Sequence, residues 1–280
     1  MKIDAHQHYW DPARGDYGWL TADLKPLYCV FGPGDLKPLR EAANIGRTVV
    51  VQAAPTVEET RYLLDLARAE ESIAGVVGWV PLDAQHAPAL LEELVQHPKF
   101  KGVRPMLQDL PDDRWIETAP KEAAIRKLIE LDLAFDALIF ARHVPSLLVF
   151  AKRYPDLRIV VDHGAKPPIR DGARGWQPWA DGVAQLAALP QKLHCKLSGL
   201  VTEAAPECDE TILKPYVEHL LEHFGAQRLM WGSDWPVLEL NGDYAGWHRA
   251  AQALTGARGN LEKSGMDAIF GGNARAFYRL

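Results

Sequence analysis

Short runs of apolar and β-branched residues recur along the chain and alternate with longer stretches in which apolar residues lie three and four positions apart. The short runs are typical of buried strands, and the longer period is typical of helices with one buried face. The pattern predicts eight strands, at residues 2–6, 48–52, 73–80, 102–107, 133–138, 157–162, 192–197 and 228–232. Between them it predicts helices that include residues 57–70, 87–96, 121–131, 144–153 and 210–224.

The alternation of strands and helices is typical of parallel βα units. Eight strands in 280 residues leave about 35 residues for each unit, which suits one strand, one helix and two loops. No internal repeat, low-complexity tract or Gly/Ser linker divides the chain. We therefore expect an α/β fold, a (β/α)8 TIM barrel of the kind found in many enzymes, as a single domain over residues 1–280.

Two segments, 10–33 and 166–178, show neither period. Each follows the C-terminal end of a predicted strand, where the loops of such barrels build the active site. The tryptophans of these segments are therefore predicted to form a rim over the pocket; packing within the loops is the alternative. They are Trp10, Trp19 and Trp176, together with Trp179 directly after the second segment.

Composition limits the classes of partner. Hydrophobic residues make up 48% and charged residues 24% of the chain, as in globular proteins. The net charge of −6, without a basic run, argues against nucleic acid and anionic membranes as partners. The chain starts with polar residues and has no apolar run of 18, so we expect a cytoplasmic protein. Its three cysteines are odd in number and far apart, so they are expected to be reduced.

Four side chains at predicted strand ends are candidates for chemistry. His6 and His8 are two positions apart, so the strand period points both side chains the same way. His163 follows the apolar end of strand six, and Asp234 follows that of strand eight. The structural alternatives are a buried histidine bound by backbone for His163 and a helix cap for Asp234, although no helical period starts directly after Pro236.

These residues lie in segments that resemble the amidohydrolase superfamily. The segments are Ile3-Asp4-Ala5-His6-Gln7-His8, Val161-Asp162-His163-Gly164, Gly232-Ser233-Asp234-Trp235-Pro236 and, at the end, 269–278. The resemblance covers the whole chain in order and is greatest to a lactonase group that acts on sugar lactones and 2-pyrone-4,6-dicarboxylate. It implies hydrolysis of a sugar-acid lactone such as L-fuconolactone or L-rhamnonolactone to the open-chain aldonate, a carboxylic-ester hydrolysis.

The chain departs from the superfamily's two-metal members. The strand-four position holds Arg104, which cannot ligate a metal, and the strand-five segment offers only Asp136. A two-metal site is therefore not expected. Imidazoles and a carboxylate could still hold one divalent cation such as zinc, with His6, His8 and Asp234 as its ligands. Because the lactonase group includes members that work without a metal, the resemblance implies no required cofactor.

Opening a lactone needs an attacking water, a base and positive groups that face the oxygen on which charge develops. We expect Asp234 to be the base. His163, His6 and His8 would polarise the carbonyl and position the water, and Arg104 would hold substrate oxygens. An alkoxide leaves more easily than an amide nitrogen, so hydrogen-bond donors suffice for a lactone.

Further polar residues near strand ends are predicted to contact the substrate: Gln52, Asp136, Lys196 and Ser198. Aromatic platforms for a sugar ring are expected from Trp10, Trp176 and Trp235. For Lys196 the alternative is a cation inside the barrel, paired with a carboxylate. A dicarboxylate substrate would need several arginines, and only Arg104 is placed at the pocket.

Two other functions stay open from the residues alone. The first is metal-dependent C–N hydrolysis or decarboxylation on the same barrel, and the second is non-catalytic binding of a sugar acid. Fold alone does not separate them, because such barrels carry many unrelated reactions. Exposed helix faces carry mixed charge, so a monomer and a homodimer are equally compatible with the sequence.

Overall fold

The structure, a computed structural model, describes residues 1–256 and 261–280. Eight parallel strands lie side by side in chain order in one sheet. They are β1 (Lys2–Gln7), β2 (Ile45–Val51), β3 (Ile73–Gly78), β4 (Phe100–Val103), β5 (Ala134–Ala137), β6 (Arg158–Val161), β7 (His194–Leu197) and β8 (Leu229–Trp231). Two backbone hydrogen bonds, from His8 N to Trp235 O (2.7 Å) and from Asp234 N to His6 O (2.8 Å), join the two ends of the sheet. The eight-stranded barrel is thus confirmed.

Helices cover the outside of the barrel and pack their apolar faces on the strands. They are α1 (Pro33–Ala42), α2 (Val57–Ala69), α3 (Ala87–Leu94), α4 (Trp115–Thr118), α5 (Glu122–Glu130), α6 (Val144–Arg153), α7 (Ala173–Ala187), α8 (Leu200–Glu203), α9 (Glu210–Phe224), α10 (Tyr244–Gly256), α11 (Lys263–Asp267) and α12 (Asn273–Tyr278). Among the described residues, no helix is long and apolar enough to cross a membrane.

The inside of the barrel has its own apolar cluster. Strand residues such as Val51, Val77 and Val160 meet Phe277 and Tyr278 of the last helix there. Helix α12 therefore closes the interior from one end, which leaves the C-terminal ends of the strands for the site.

The predicted strands are found, but several end earlier than the pattern indicates. Strand β3 ends at Gly78 because the Thr60 hydroxyl, not a neighbouring strand, bonds the backbone N–H (2.7 Å) and carbonyl (3.0 Å) of Trp79. The strand expected at 102–107 is instead β4 (Phe100–Val103), and Pro105, which has no N–H to donate, lies beyond its end. Hydrophobic runs thus extend past the hydrogen-bonded ladder.

The expectation that 166–178 is irregular is wrong for its second half. Helix α7 begins at Ala173 and passes through Pro178. Gly175 and Pro178 are poor helix formers, but the helix buries Trp179 and Leu186, and the Trp179 indole donates to Gly164 O (2.7 Å). Tertiary packing outweighs local propensity here.

The seam between β1 and β8 is held by the buried carboxylate of Asp4. It accepts hydrogen bonds from Ser233 N (2.9 Å), Tyr244 Oη (3.1 Å) and His6 N (3.2 Å). A Cβ on Gly232 would lie 2.6 Å from the His6 Cβ, so only glycine lets the two strands approach this closely. The seam thereby places His6 beside the loop that carries Asp234.

Candidate active site

Four side chains from three strand ends meet above the barrel interior. Asp234 Oδ1 lies 3.3 Å from His8 Nε2, 3.7 Å from His6 Nε2 and 3.8 Å from His163 Nε2. The Nε2 atoms of His6 and His8 are 3.2 Å apart. All four residues are at most 4% exposed. The structure therefore brings together the residues that the strand ends indicated.

Hydrogen bonds on the far sides of the rings orient two of these imidazoles. The Nδ1 of His8 lies 2.8 Å from the carbonyl of Val51, which can only accept, so this nitrogen carries the proton. The Nε2 of His8 is then a bare acceptor. The Nδ1 of His6 lies 3.0 Å from the ammonium of Lys196, which can only donate, so the proton of His6 is on Nε2. His6 therefore donates towards His8, and the free acceptors on His8 and Asp234 face each other.

His163 and Asp234 both have left-handed backbone, with φ of 53° and 60°. Such a conformation costs about 1–3 kcal/mol in a non-glycine residue and is concentrated at functional sites. It turns His163 back over β7, where Nδ1 lies 2.9 Å from Ser198 Oγ. A Cβ on Gly199, which has φ of 66°, would lie 2.6 Å from the ring of His163, so this position requires glycine.

Burial controls the charge of the site. Desolvation lowers the pKa of His6 well below its usual range, with Lys196 adding to the effect, and desolvation likewise lowers the pKa of His163. Both rings are therefore neutral. Burial raises the pKa of Asp234, but the neighbouring rings of His163 and His8 outweigh this and leave the pKa below its usual value. The site therefore holds an ionised carboxylate among neutral rings.

Arg104 and Gln52 hold each other at the pocket wall. The side-chain amide of Gln52 donates to the backbone carbonyl of Arg104 (2.7 Å), and the Arg104 guanidinium donates to the backbone carbonyl of Gln52. Arg104 Nη1 also lies 3.4 Å from His6 Nε2 and 3.6 Å from Asp162 Oδ2. Arg104 lines the pocket, whereas Gln52 is fully buried and does not. Gln52 thus positions Arg104 from behind the pocket wall, and the structure does not bring this predicted substrate contact to the pocket itself.

A charged network lies below the histidines. Lys196 Nζ lies 2.6 Å from Asp136 Oδ2 and 3.0 Å from Asp162 Oδ1, and Tyr278 Oη donates to Asp136 Oδ2 (2.7 Å). Lys196, Asp136 and Ser198 have no exposed surface and do not line the pocket. The structure therefore does not bring these three predicted substrate contacts to the pocket wall, and Lys196 is the paired cation inside the barrel that the sequence left as the alternative. Inward-pointing side chains below the strand ends belong to the packed interior of such a barrel.

The pocket has a volume of about 260 Å³, near the lower end for small-molecule sites. His8, His163, Asp234 and Arg104 lie on its wall. Sequence reasoning missed several other lining residues, among them Leu27, Met106, Gln108, Leu138, Lys166 and Thr202. Lys166 Nζ bonds Gln108 Oε1 (2.8 Å) and lies 3.3 Å from Glu203 Oε1. In the sequence, the one signal for Lys166 as a pocket residue is its position three residues after His163.

The tryptophans separate into two groups. Trp10 and Trp19 line the pocket, in agreement with a rim. The rim position expected for Trp176 and Trp179 is wrong, because α7 turns both indoles towards Tyr216 of α9 in the outer layer. Trp235 does not line the pocket either; it is 1% exposed, and its indole donates to Glu239 (2.7 Å).

The donor set fits one divalent cation. One ligand atom each from His6, His163 and Asp234 lies within 4.8 Å of the others, and two nitrogens with one oxygen suit zinc. His8 also presents a bare Nε2 at 3.3 Å from Asp234 Oδ1. His6 is the least suited, because its tautomer is set by Lys196 and Arg104 lies 3.4 Å from its Nε2.

A parallel eight-stranded barrel with buried imidazoles and an ionised carboxylate at its strand ends defines a (β/α)8-barrel enzyme. The chain belongs to the amidohydrolase family, whose description "Amidohydrolase" matches residues 3–280. It is 49% identical to an L-fucono-1,5-lactonase of Burkholderia ambifaria, over 100% of this chain and 96% of the relative. An L-fucono-1,5-lactonase of Burkholderia multivorans is 35% identical, with the same coverage.

A solved structure agrees with the fold in detail. The crystal structure of an amidohydrolase from Burkholderia multivorans with bound zinc is 35% identical to this chain. It covers 100% of this chain and 99% of its own, with a TM-score of 0.91. The resemblance drawn from the strand-end segments is confirmed.

Proposed function

We propose that the protein hydrolyses a sugar-acid lactone of the L-fucono-1,5-lactone type to the open-chain aldonate. The observation that carries this proposal is the ionised Asp234 carboxylate on the wall of a small pocket, 3.3–3.8 Å from three imidazoles. The full-length similarity to two L-fucono-1,5-lactonases supports the lactone as the substrate class.

Asp234 is the proposed general base. The acceptors His8 Nε2 and Asp234 Oδ1 lie 3.3 Å apart and both face the pocket, so one water can donate a hydrogen to each. Asp234 then takes the proton as the water oxygen attacks the lactone carbonyl. The bond from the carbonyl carbon to the ring oxygen breaks, and the proton passes to the departing alkoxide.

Hydrogen-bond donors around the carbonyl stabilise the charge that develops on its oxygen. Arg104 lines the pocket and is held by Gln52, so its guanidinium costs little reorganisation during the reaction. His163 and Lys166 line the same pocket. We propose that Arg104 and His163 polarise the carbonyl and that Lys166 binds substrate hydroxyls.

One divalent cation is compatible with this arrangement but is not required by it. His6, His163 and Asp234 would hold it, or His6, His8 and Asp234 as the sequence indicated. When bound, such an ion supplies carbonyl polarisation and a more acidic water. The bound zinc of the Burkholderia multivorans amidohydrolase supports this as an alternative.

A pH-indicator assay against a panel of aldonolactones, with and without exhaustive chelation, tests both parts. We expect release of acid from L-fucono-1,5-lactone by the chelated and untreated protein alike. Loss of all activity on chelation, with recovery on adding zinc, would overturn the metal-independent mechanism and favour a metal-dependent hydrolase. Failure to open any lactone would overturn the proposed function.

A further inference from the structure

A second cavity, of about 520 Å³, lies directly beside the active-site pocket. Trp19, Met106 and Asp109 line both cavities, so the two share a wall. We call this second cavity the side groove; it is lined by segments that follow β1, β2, β3 and β4. The side groove and the pocket are therefore adjacent at Trp19 and Met106.

Aromatic and apolar side chains dominate the side groove. Trp79 and Trp115 line it, together with Leu82, Leu110 and three prolines. Both indoles are half-buried, so part of each ring is open to a ligand. No hydrogen bond of either indole N–H is found among the described residues, whereas the Trp19 indole donates to Ala53 O (2.8 Å). Two half-buried indoles, each without a hydrogen bond at its N–H among the described residues, thus line the cavity.

The charge of the side groove selects a neutral ligand. Its charged lining residues are Asp16, Asp83 and Asp109, and no lysine or arginine lines it. Asp16 is paired with Arg14 (2.6 Å), but Asp83 and Asp109 have no ion-pair partner among the described residues. Free carboxylates repel anions and accept hydrogen bonds from hydroxyl groups. Indole faces pack against the C–H faces of sugars, so the combination fits a polyhydroxylated ring.

We propose that the side groove binds a second, neutral sugar ring linked to the aldonolactone in the pocket. This inference rests on the proposed lactonase function and extends its substrate class to glycosylated aldonolactones. The reaction that supplies such a substrate is the two-electron oxidation of the reducing-end hemiacetal of a disaccharide. The lactone end then lies against Asp234, and the glycosidic partner passes Trp19 to reach Trp79 and Trp115.

Steady-state kinetics with one-ring and two-ring lactones tests the proposal. Wild-type protein should hydrolyse cellobiono-1,5-lactone or lactobiono-1,5-lactone as well as L-fucono-1,5-lactone. Trp79→Ala and Trp115→Ala should each lower kcat/KM for the two-ring lactone about tenfold, and leave kcat/KM for L-fucono-1,5-lactone within about twofold. Trp79→Phe, which keeps an apolar ring, should recover most of the loss.

Two further variants complete the test: the first controls for loss of folding, and the second tests a carboxylate of the side groove. Trp176→Ala removes a half-buried indole from the outer layer and should change neither substrate's kcat/KM. Asp83→Ala alters an exposed side chain of the side groove and should raise KM for the two-ring lactone alone. Hydrolysis of the one-ring lactone without the two-ring lactones, or equal losses for both in the Trp79 and Trp115 variants, would overturn the side groove as a sugar site. Inactivity towards every lactone would instead overturn the proposed function.

Discussion

At the scale of single residues, three buried carboxylates lie close together but differ in their partners. Asp136 and Asp162 both pair with Lys196, whereas Asp234 lies 3.3–3.8 Å from three imidazoles. Lys196 offsets the charge of the two deeper carboxylates, so they are held in the structure and do not reach the pocket. Asp234 alone of the three lines the pocket and can exchange a proton with a ligand there.

Asp234→Asn should therefore lower kcat for lactone hydrolysis about 10²- to 10⁴-fold, because an amide cannot take the proton of water. KM should change little, since the amide retains the size of the side chain. Steady-state kinetics with L-fucono-1,5-lactone measure both kcat and KM. Asp23→Asn, at an exposed position outside the pocket wall, should behave as wild type. A kcat near the wild-type value in Asp234→Asn would exclude the carboxylate as base.

Lys196→Met should lower the free energy of unfolding by about 3–5 kcal/mol, since it leaves the buried Asp136 without its cation and Asp162 with Arg104 at 3.6 Å. Urea denaturation measures this, and Lys152→Met on the exposed face of α6 should shift the value by less than about 0.5 kcal/mol. A loss below about 1 kcal/mol would show that the network contributes little. Adding Asp136→Asn should recover part of the stability, because one unpaired charge is removed.

At the scale of elements, the first turn of α2 supports the pocket from behind. Glu59 is fully buried and accepts a hydrogen bond from Ala53 N (2.8 Å), while the Trp19 indole bonds the Ala53 carbonyl. Ala53 and Trp19 both line the pocket. The first turn of α2 thereby holds the loop after β2 in place.

Burial raises the pKa of Glu59 from 4.5 to about 8 despite the hydrogen bonds that it accepts. The folded protein holds this proton up to about pH 8, whereas the unfolded chain releases it near pH 4.5. The contribution of Glu59 to stability is therefore full below pH 4.5 and is lost as the pH rises to 8, by at most about 1.4 kcal/mol per pH unit. Glu59→Gln should remove this dependence. The unfolding free energy of the variant minus that of wild type should therefore increase as the pH rises from 5 to 8.

Its neighbour supplies the control for that experiment. Glu58→Gln alters an exposed side chain of the same turn and should keep the wild-type pH dependence in urea titrations. Parallel curves for Glu59→Gln and wild type across this range would contradict a buried, protonated Glu59.

At the scale of the whole molecule, the last helix completes the barrel interior. Tyr278 of α12 donates to Asp136 on β5 (2.7 Å), although the two residues are far apart along the chain. Backbone hydrogen bonds close the barrel between β1 and β8, and Tyr278 contacts β5 in the barrel interior. The first strand and the last helix of the chain therefore both belong to the barrel core. The interpretation of residues 1–280 as one domain stays a prediction, which the single sheet supports.

Tyr278→Phe should lower the free energy of unfolding by about 1–3 kcal/mol, because the buried Asp136 loses a donor. Lactone hydrolysis should be retained, since Tyr278 does not line the pocket. Thermal or urea denaturation together with the lactone assay separates the two effects. Tyr28→Phe, at a 47% exposed position, is the matched control. Loss of activity without loss of stability would place Tyr278 in the catalytic machinery instead.

Local pattern alone was sufficient for the number and order of the strands and for the positions of His6, His8, His163 and Asp234. Strand period and strand ends depend on near neighbours in the chain, and strand ends in a parallel barrel all meet at one face. These features can therefore be predicted before any long-range contact is known.

Only the tertiary structure decided how deep each polar side chain lies. Lys196, Asp136 and Ser198 were expected at the substrate but lie beneath the histidines, and Trp176 faces α9. Lys166, by contrast, reaches the pocket from a turn of four left-handed residues that no sequence period marks. Depth and direction depend on barrel closure and helix packing between distant residues, and these contacts leave no local periodicity.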